Sequence, residues 1–274
     1  MVPYTLVTLA ENPQLEEPMR RLSLEAWPEF LRHDAVCGRH WEALFRLFAP
    51  FQVLLCGADQ RVIAAGHTIP VGWDGTREDL PSGLDGVLAR GVHNTQHGHA
   101  PTTLSALAAI VTPSHQRQGL SAVLLRAMRG VAAAHGFRAL IAPVRPTLKH
   151  RYPLTPMARY AGWRRADGAP FDPWVRVHWR LGAELLQIAP QSMVVTGTVA
   201  DWEAWTGMAF PDSGPYIVPG ALQPVCIDRA HDVGRYEDPN IWMQHATAEP
   251  TAPPHAGPAG VPAPPGDQCA QGNG

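Results

Sequence analysis

Leu104-Ser-Ala-Leu-Ala-Ala-Ile-Val111, then Thr112-Pro113-Ser-His, then Gln116-Arg117-Gln118-Gly119-Leu120-Ser121-Ala-Val-Leu124-Leu125, is the stretch whose reading decides the fold. Its first part is an apolar run of strand length, which reads as a buried strand. Thr112-Pro113 stops that strand, because proline has no N–H to give to a ladder. Gln116 to Ser121 then opens a long amphipathic helix that runs toward Gly136. A glycine turn between a buried strand and a helix start makes a phosphate site. The first N–H groups of the helix have no intrahelical partner, and the helix dipole adds partial positive charge there. Gly119 lets a ligand approach the backbone closely.

The flanking sequence extends this pattern. A second strand, Phe137 to Pro143, follows the helix, and the segment Thr147 to Trp163 ends in the pair Gly162-Trp163. Two other phosphate motifs are missing: there is no Gly-Lys-Ser/Thr of a nucleotide P-loop and no Gly-x-Gly-x-x-Gly of a dinucleotide fold. Upstream, Tyr4 to Ala10 reads as a strand, Asn12 to Phe30 as a helix with Leu15, Met19, Leu22 and Trp27 near helical spacing, and Glu42 to Phe48 as a short helix. Phe51 to Cys56 and Arg61 to Val71 read as a strand pair around Gly57-Ala-Asp-Gln60.

The strand, Val111-Thr112-Pro113, Gln116-x-x-Gly119-x-Ser121 and Leu124-Leu125 together resemble the coenzyme A signature of the GNAT N-acetyltransferase superfamily, Arg/Gln-x-x-Gly-x-Gly/Ala. Ser121 departs from the usual last residue, but it is small. The resemblance implies an α/β (α+β) fold, with a GNAT-like mixed, mostly antiparallel sheet flanked by helices and a C-terminal extension. It also implies an acyl-CoA co-substrate, chiefly acetyl-CoA, and direct attack by an amine on its thioester. The pyrophosphate then falls to the N–H groups of Gln116, Arg117, Gln118, Gly119, Leu120 and Ser121. A main-chain N–H among Ala109, Ile110 and Val111 polarises the thioester carbonyl.

The same resemblance calls for an acid that protonates the departing thiolate, a tyrosine just before the Gly-aromatic pair. Tyr160 and Tyr152 both compete for it, with Tyr160 preferred. No glutamate lies on the 102–111 strand to serve as base, which leaves His97, His99, Ser105, Glu237 and Asp238 as candidates, imidazole being best suited near neutrality. Arg145, Lys149 and Arg151 are placed to reach the phosphates or to form a surface basic cluster. The stretch from Trp73 to Pro101, rich in Gly, Asp and Pro, reads as a functional loop with room for a short helix beside the acceptor cleft. Its His93, His97 and His99 have no thiol and only Asp85 nearby, so no metal is assigned.

Trp174 to Arg180 alternates as a strand, and Ser192 to Thr198 reads as its neighbour. This divides the chain into a transferase core over 1–182, an extension over 183–246 that completes the sheet and caps the cleft, and a Pro/Gly/Ala-rich disordered tail over 247–274. The 274 residues are 45% hydrophobic with a net charge of −2, enough for a sizeable core and too little positive charge for nucleic acid as the main partner. Without a membrane span or signal segment the expected compartment is the cytoplasm, where Cys37, Cys56, Cys226 and Cys269 stay free thiols. The expected function is N-acetylation of a small-molecule amine by a monomer or homodimer. The alternative is a degenerate member of the fold that binds acyl-CoA or a partner without turnover.

Overall fold

The computed structural model describes residues 3–247. Its architecture turns on one parallel strand pair, β4 (Thr103–Val111) and β5 (Ala139–Val144), joined by the crossover helix α5 (Leu120–Ala134). The two strands pair only at Leu104↔Leu140 and Ser105↔Ile141 and then diverge. Every other pairing is antiparallel. β1 (Tyr4–Thr8), β2 (Val53–Gly57) and β3 (Val62–Val71) form a meander that ends on β4. A register shift opposite His67 and Thr68 leaves Leu107 as an extra residue on β4, a bulge where β4 leaves β5.

On the other flank, β9 (Val233–Ala246) takes β5 along one part of an edge and β8 (Val225–Asp228) along another, and β6 (Glu184–Gly197) covers its opposite edge. β7 (Gly214–Tyr216) pairs with β8 and closes the order β1-β2-β3-β4-β5-β9-β8-β7. Between the β5 and β8 pairings, residues 236–240 of β9 have no strand beside them on that edge. A charged cluster fills that gap.

Helix α5 buries Leu120, Leu124, Leu125, Met128 and Ala132 against the sheet, and each large side chain among them contributes about 1.5–3 kcal/mol before entropy is counted. On the opposite face lie α1 (Glu16–Ala26), α2 (Ala35–His40), α3 (Ala43–Arg46) and α4 (Leu84–Gln96), with Phe30, Val87, Leu88, Trp202 and Trp242 in the larger core. Helix α8 (Val199–Thr206) starts in a reciprocal capping box between Thr198 and Asp201. No described helix is long and apolar enough to cross a membrane.

Three expectations are corrected. The first helix ends at Ala26, four residues before Phe30, because Pro28 forces Trp27 into extended backbone (φ −96°, ψ 139°). The stretch 73–101 holds a 13-residue helix, α4, whose apolar residues pack on β3 and β6. Trp174 to Arg180 is the helix α7 (Pro173–Arg180), not a strand. Asp172 accepts from the N–H groups of Trp174 and Val175 while Pro173 sits at the first helical position, a start signal that outweighs the two-residue alternation. Between Thr147 and Trp163, Pro153 and Pro156 leave only the one-turn helix α6 (Met157–Ala161). The tail and Cys269 lie outside the described residues, and among the described residues Cys37, Cys56 and Cys226 are free.

Where α2 meets α4, the carboxyls of Asp34 and Asp85 come together beside Cys37. Burial, and then the neighbouring Asp34, push Asp85 up to about 8, so the Asp85 carboxyl keeps its proton at neutral pH.

Candidate active site

Diverging strands leave a gap that only side chains or a ligand can fill. From the bulge onward, β4 and β5 enclose a cleft of about 980 Å³, walled by Ala106 to Val111 on one side and Ala142 to Val144 on the other. One end is the turn into α5. Gly119 sits there with φ +81°, left-handed backbone that a side chain resists, and the space where a Cβ would lie is open. Arg117 also has positive φ, +62°, an unusual backbone for a non-glycine residue. No protein acceptor is found among the described residues for the backbone N–H groups of Gln118, Gly119, Leu120 and Ser121. Four orphan donors at the start of a 15-residue helix form an anion site. Gln116, Arg117, Gly119, Leu120 and Ser121 line the cleft directly, as do Ile110 and Val111, while Gln118 stands behind with its amide on the Ser114 carbonyl.

The other end is made of side chains from distant elements: Glu25 of α1, Trp27, Leu84 of α4, Arg145 and Asn240 of β9. Arg145 donates through Nε to both carboxylate oxygens of Asp238, at 3.0 and 3.1 Å, and through Nη2 to the Gly220 carbonyl. Its Nη1 has no protein acceptor among the described residues. Asp238 is fully buried and also accepts from Tyr236 Oη at 2.6 Å and Asn240 Nδ2 at 2.8 Å. The chain of bonds continues from Ser192 Oγ to Asn240 Oδ1, and from the Leu84 N–H to Ser192 Oγ. This fixes the start of α4 on β6. Gly83 permits that approach, since a Cβ there would lie 2.2 Å from Ser192 Cα.

A third wall comes from α7, through Pro173, Trp174, Val177 and His178. His178 is 1% exposed, and its Nδ1 lies 3.0 Å from Nε2 of the fully buried His245 on β9. The outer nitrogens, His178 Nε2 and His245 Nδ1, have no hydrogen-bond partner among the described residues. Burial and the adjacent His245 hold His178 well below the ordinary imidazole range. Burial, with Arg129 adding to it, lowers His245 to about 4.

The catalytic candidates expected from the sequence lie elsewhere. Tyr160 is 2% exposed, does not line the cleft, and donates its hydroxyl to Asp172 Oδ2 at 2.8 Å. Burial, and next the Asp172 charge, raise its pKa far above the phenol range. Because Asp172 also caps α7 and accepts from the Leu148 N–H, Tyr160 braces the cleft wall and is not placed to act as an acid. Tyr152 packs edge-on against Trp163 outside the cleft. His97 ends α4 stacked on His93, before the first residue of β4 and so at the far end of that strand from the phosphate turn. His99 stands beside it.

Ser105 is buried where β4 and β5 still pair. Glu237 is bound to Arg235 and Gln191, and Asp238 is held by Arg145. Lys149 points away from the phosphate turn, with its Nζ on the Tyr152 and Leu222 carbonyls and its pKa lowered by burial to about 8. Arg151 is exposed outside the cleft. His178 was hidden from sequence reading because it stood in a segment read as a strand.

No family model matches the sequence. Among curated proteins, the chain is 32% identical over 277 residues to the arginine N-acetyltransferase avaD of Aspergillus versicolor, an alignment that covers 88% of this chain and 93% of that protein. Among solved structures, it superposes on the loading GNATL domain of CurA from Lyngbya majuscula with a TM-score of 0.57 at 17% identity, covering 89% of this chain and 98% of that one. It superposes on the GphF GNAT-like decarboxylase, solved in complex with isobutyryl-CoA, with a TM-score of 0.53 at 15% identity, covering 90% and 100%. At those identities the two structures speak for the fold alone.

Proposed function

The chain belongs to the GNAT N-acetyltransferase superfamily, and from that premise we propose that it moves an acetyl group, or a related acyl group, from acyl coenzyme A to the amine of a small cationic amino acid, arginine or a close analogue. The observation that carries this reading is the cleft itself, a strand pair that opens beyond Ser105 and ends on four unpartnered helix N–H groups. The N–H groups of Gln118 to Ser121 receive the pyrophosphate, with Gln116 and Arg117 at its edge. Ile110 and Val111 border the pantetheine arm, and β4 N–H groups turned toward the absent β5 partner polarise the thioester carbonyl.

The acceptor occupies the Arg145 end. Glu25 supplies a negative charge for the guanidinium and Trp27 an aromatic face. The free Nη1 edge of Arg145 takes the acceptor carboxylate, in the planar geometry suited to that pair. Arginine as acceptor is supported by the name of the fungal relative. Residues 183–246 wall this end through Asn240, and 1–182 supply the rest. In this reading the enzyme works in the cytoplasm, which suits the thiols of Cys37, Cys56 and Cys226, free among the described residues, and it acts as a monomer or homodimer.

Calorimetric titration with acetyl-CoA and desulfo-CoA, followed by a transfer assay on arginine and on agmatine, tests the reading. Micromolar binding of both cofactors is expected, with acetylation of arginine favoured over the analogue that lacks a carboxylate. Absence of cofactor binding would remove the proposal. Equal turnover of the two acceptors would remove the role given to Arg145.

A further inference from the structure

We infer that His178 is a catalytic proton carrier of this transferase, with His245 as the positioning residue behind it. The inference rests on the acyl-transfer reading above and names the group that reading leaves unassigned. A buried polar atom without a partner costs about 1–3 kcal/mol and calls for an explanation. Here two such nitrogens occur in one pair, and one of them belongs to a residue of the cleft wall. The pair also bridges two elements, α7 and β9, so its geometry is set by the fold and not by a mobile loop.

One placement of the protons suits the arrangement. The Leu181 carbonyl lies near enough to His245 to favour a proton on it, although short of full hydrogen-bond geometry. With that proton on Nδ1, His245 Nε2 is the acceptor and His178 Nδ1–H the donor across the 3.0 Å contact. His178 Nε2, buried and without a partner among the described residues, then carries the free lone pair of a ring that lines the cleft. The charged or titratable groups packed around the pair are each other and Arg129 of α5, all of which oppose protonation, and Trp174 stands edge-on to His178 at 4.4 Å. The imidazole therefore rests neutral and able to accept. Of the other titratable groups on the wall, His115 is bonded to Thr112 and Ser114 at the phosphate turn, Glu25 is exposed on α1, and Arg117 and Arg145 carry fixed positive charge.

The chemistry balances on this one ring. The acceptor nitrogen forms its bond to the thioester carbonyl carbon, and the C–S bond breaks with its electron pair going to sulfur. The proton leaving nitrogen goes to His178 Nε2 and from there to the thiolate. His245 holds the ring by accepting from Nδ1 throughout.

His178→Ala and His178→Gln test this beside the wild type, with kcat, acetyl-CoA affinity and thioester hydrolysis read separately. Both variants are expected to lose at least ~100-fold in kcat, the scale of general acid–base catalysis, while the acetyl-CoA Kd changes less than about threefold. Added imidazole should restore part of the His178→Ala activity in proportion to its neutral fraction, an effect no purely structural role produces. His245→Asn should lower kcat about tenfold with KM nearly unchanged. A His178→Gln enzyme within fivefold of wild-type kcat, or a folded His178→Ala enzyme that imidazole leaves inactive, would overturn the inference and leave the acyl-transfer reading standing. Loss of fold in both variants would make the pair structural only. A wild type that binds acetyl-CoA but neither transfers nor hydrolyses the acyl group would overturn both readings.

Discussion

At the phosphate end of the cleft, four consecutive residues from Gln118 to Ser121 offer main-chain N–H groups, one of them a left-handed glycine, whereas at the other end Glu25, Trp27, Leu84, Arg145 and Asn240 arrive from separate parts of the chain and offer side chains. The first end needs only a strand stop and a helix start in the right order. The second needs buried charge, and buried charge needs partners: Arg145 is held by Asp238, Asp238 by Tyr236 and Asn240, and Asn240 by Ser192. Local backbone chemistry tolerates side-chain change and survives as a motif. A long-range polar network tolerates little, and no short pattern records it.

Three substitutions separate the two ends. Asp238→Ala should have the largest effect, a loss of about 3–5 kcal/mol in unfolding free energy, because it leaves Arg145 half-buried without its carboxylate; urea unfolding measures it, and a loss below ~1 kcal/mol would mean the network is not what fixes that end. Gly119→Glu should follow, with acetyl-CoA affinity lowered about 100-fold, equivalent to ~2.7 kcal/mol, by a carboxylate at the pyrophosphate site and a side chain in left-handed backbone. Stability should fall by no more than about 1–2 kcal/mol, since the space at that Cβ is open, and calorimetry beside thermal unfolding distinguishes the two effects. Tyr160→Phe should have the smallest effect, about 1 kcal/mol of stability with kcat within twofold of wild type, because Asp172 keeps its backbone donors at residues 148, 174 and 175. A large fall in kcat with the fold intact would return Tyr160 to the acid role expected from the sequence.

The positions of those expectations along the chain explain which were legible. The turn at Gly119 could be read because its function uses neighbours in sequence. Tyr160 is preferred to Tyr152 as the acid because it lies nearer the Gly162-Trp163 pair, yet its hydroxyl is committed to an aspartate twelve residues away, which the local sequence does not reveal. Likewise the alternation of Trp174 to Arg180 suits a strand, and only the Asp172-Pro173 start shows that it is a helix.

By itself the sequence determined the order of strands and helices around the phosphate turn, the glycine that turn requires and the family it announces, because each depends on periodicity, caps and chain stops acting over a few residues. The tertiary structure alone decided that β9 joins β5 to β6 and β8, that Arg145 answers Asp238 across 93 residues, and that His178 meets His245 across 67. Those pairings are set by which apolar faces pack together, and the polar atoms they bring into register are determined by the fold as a whole.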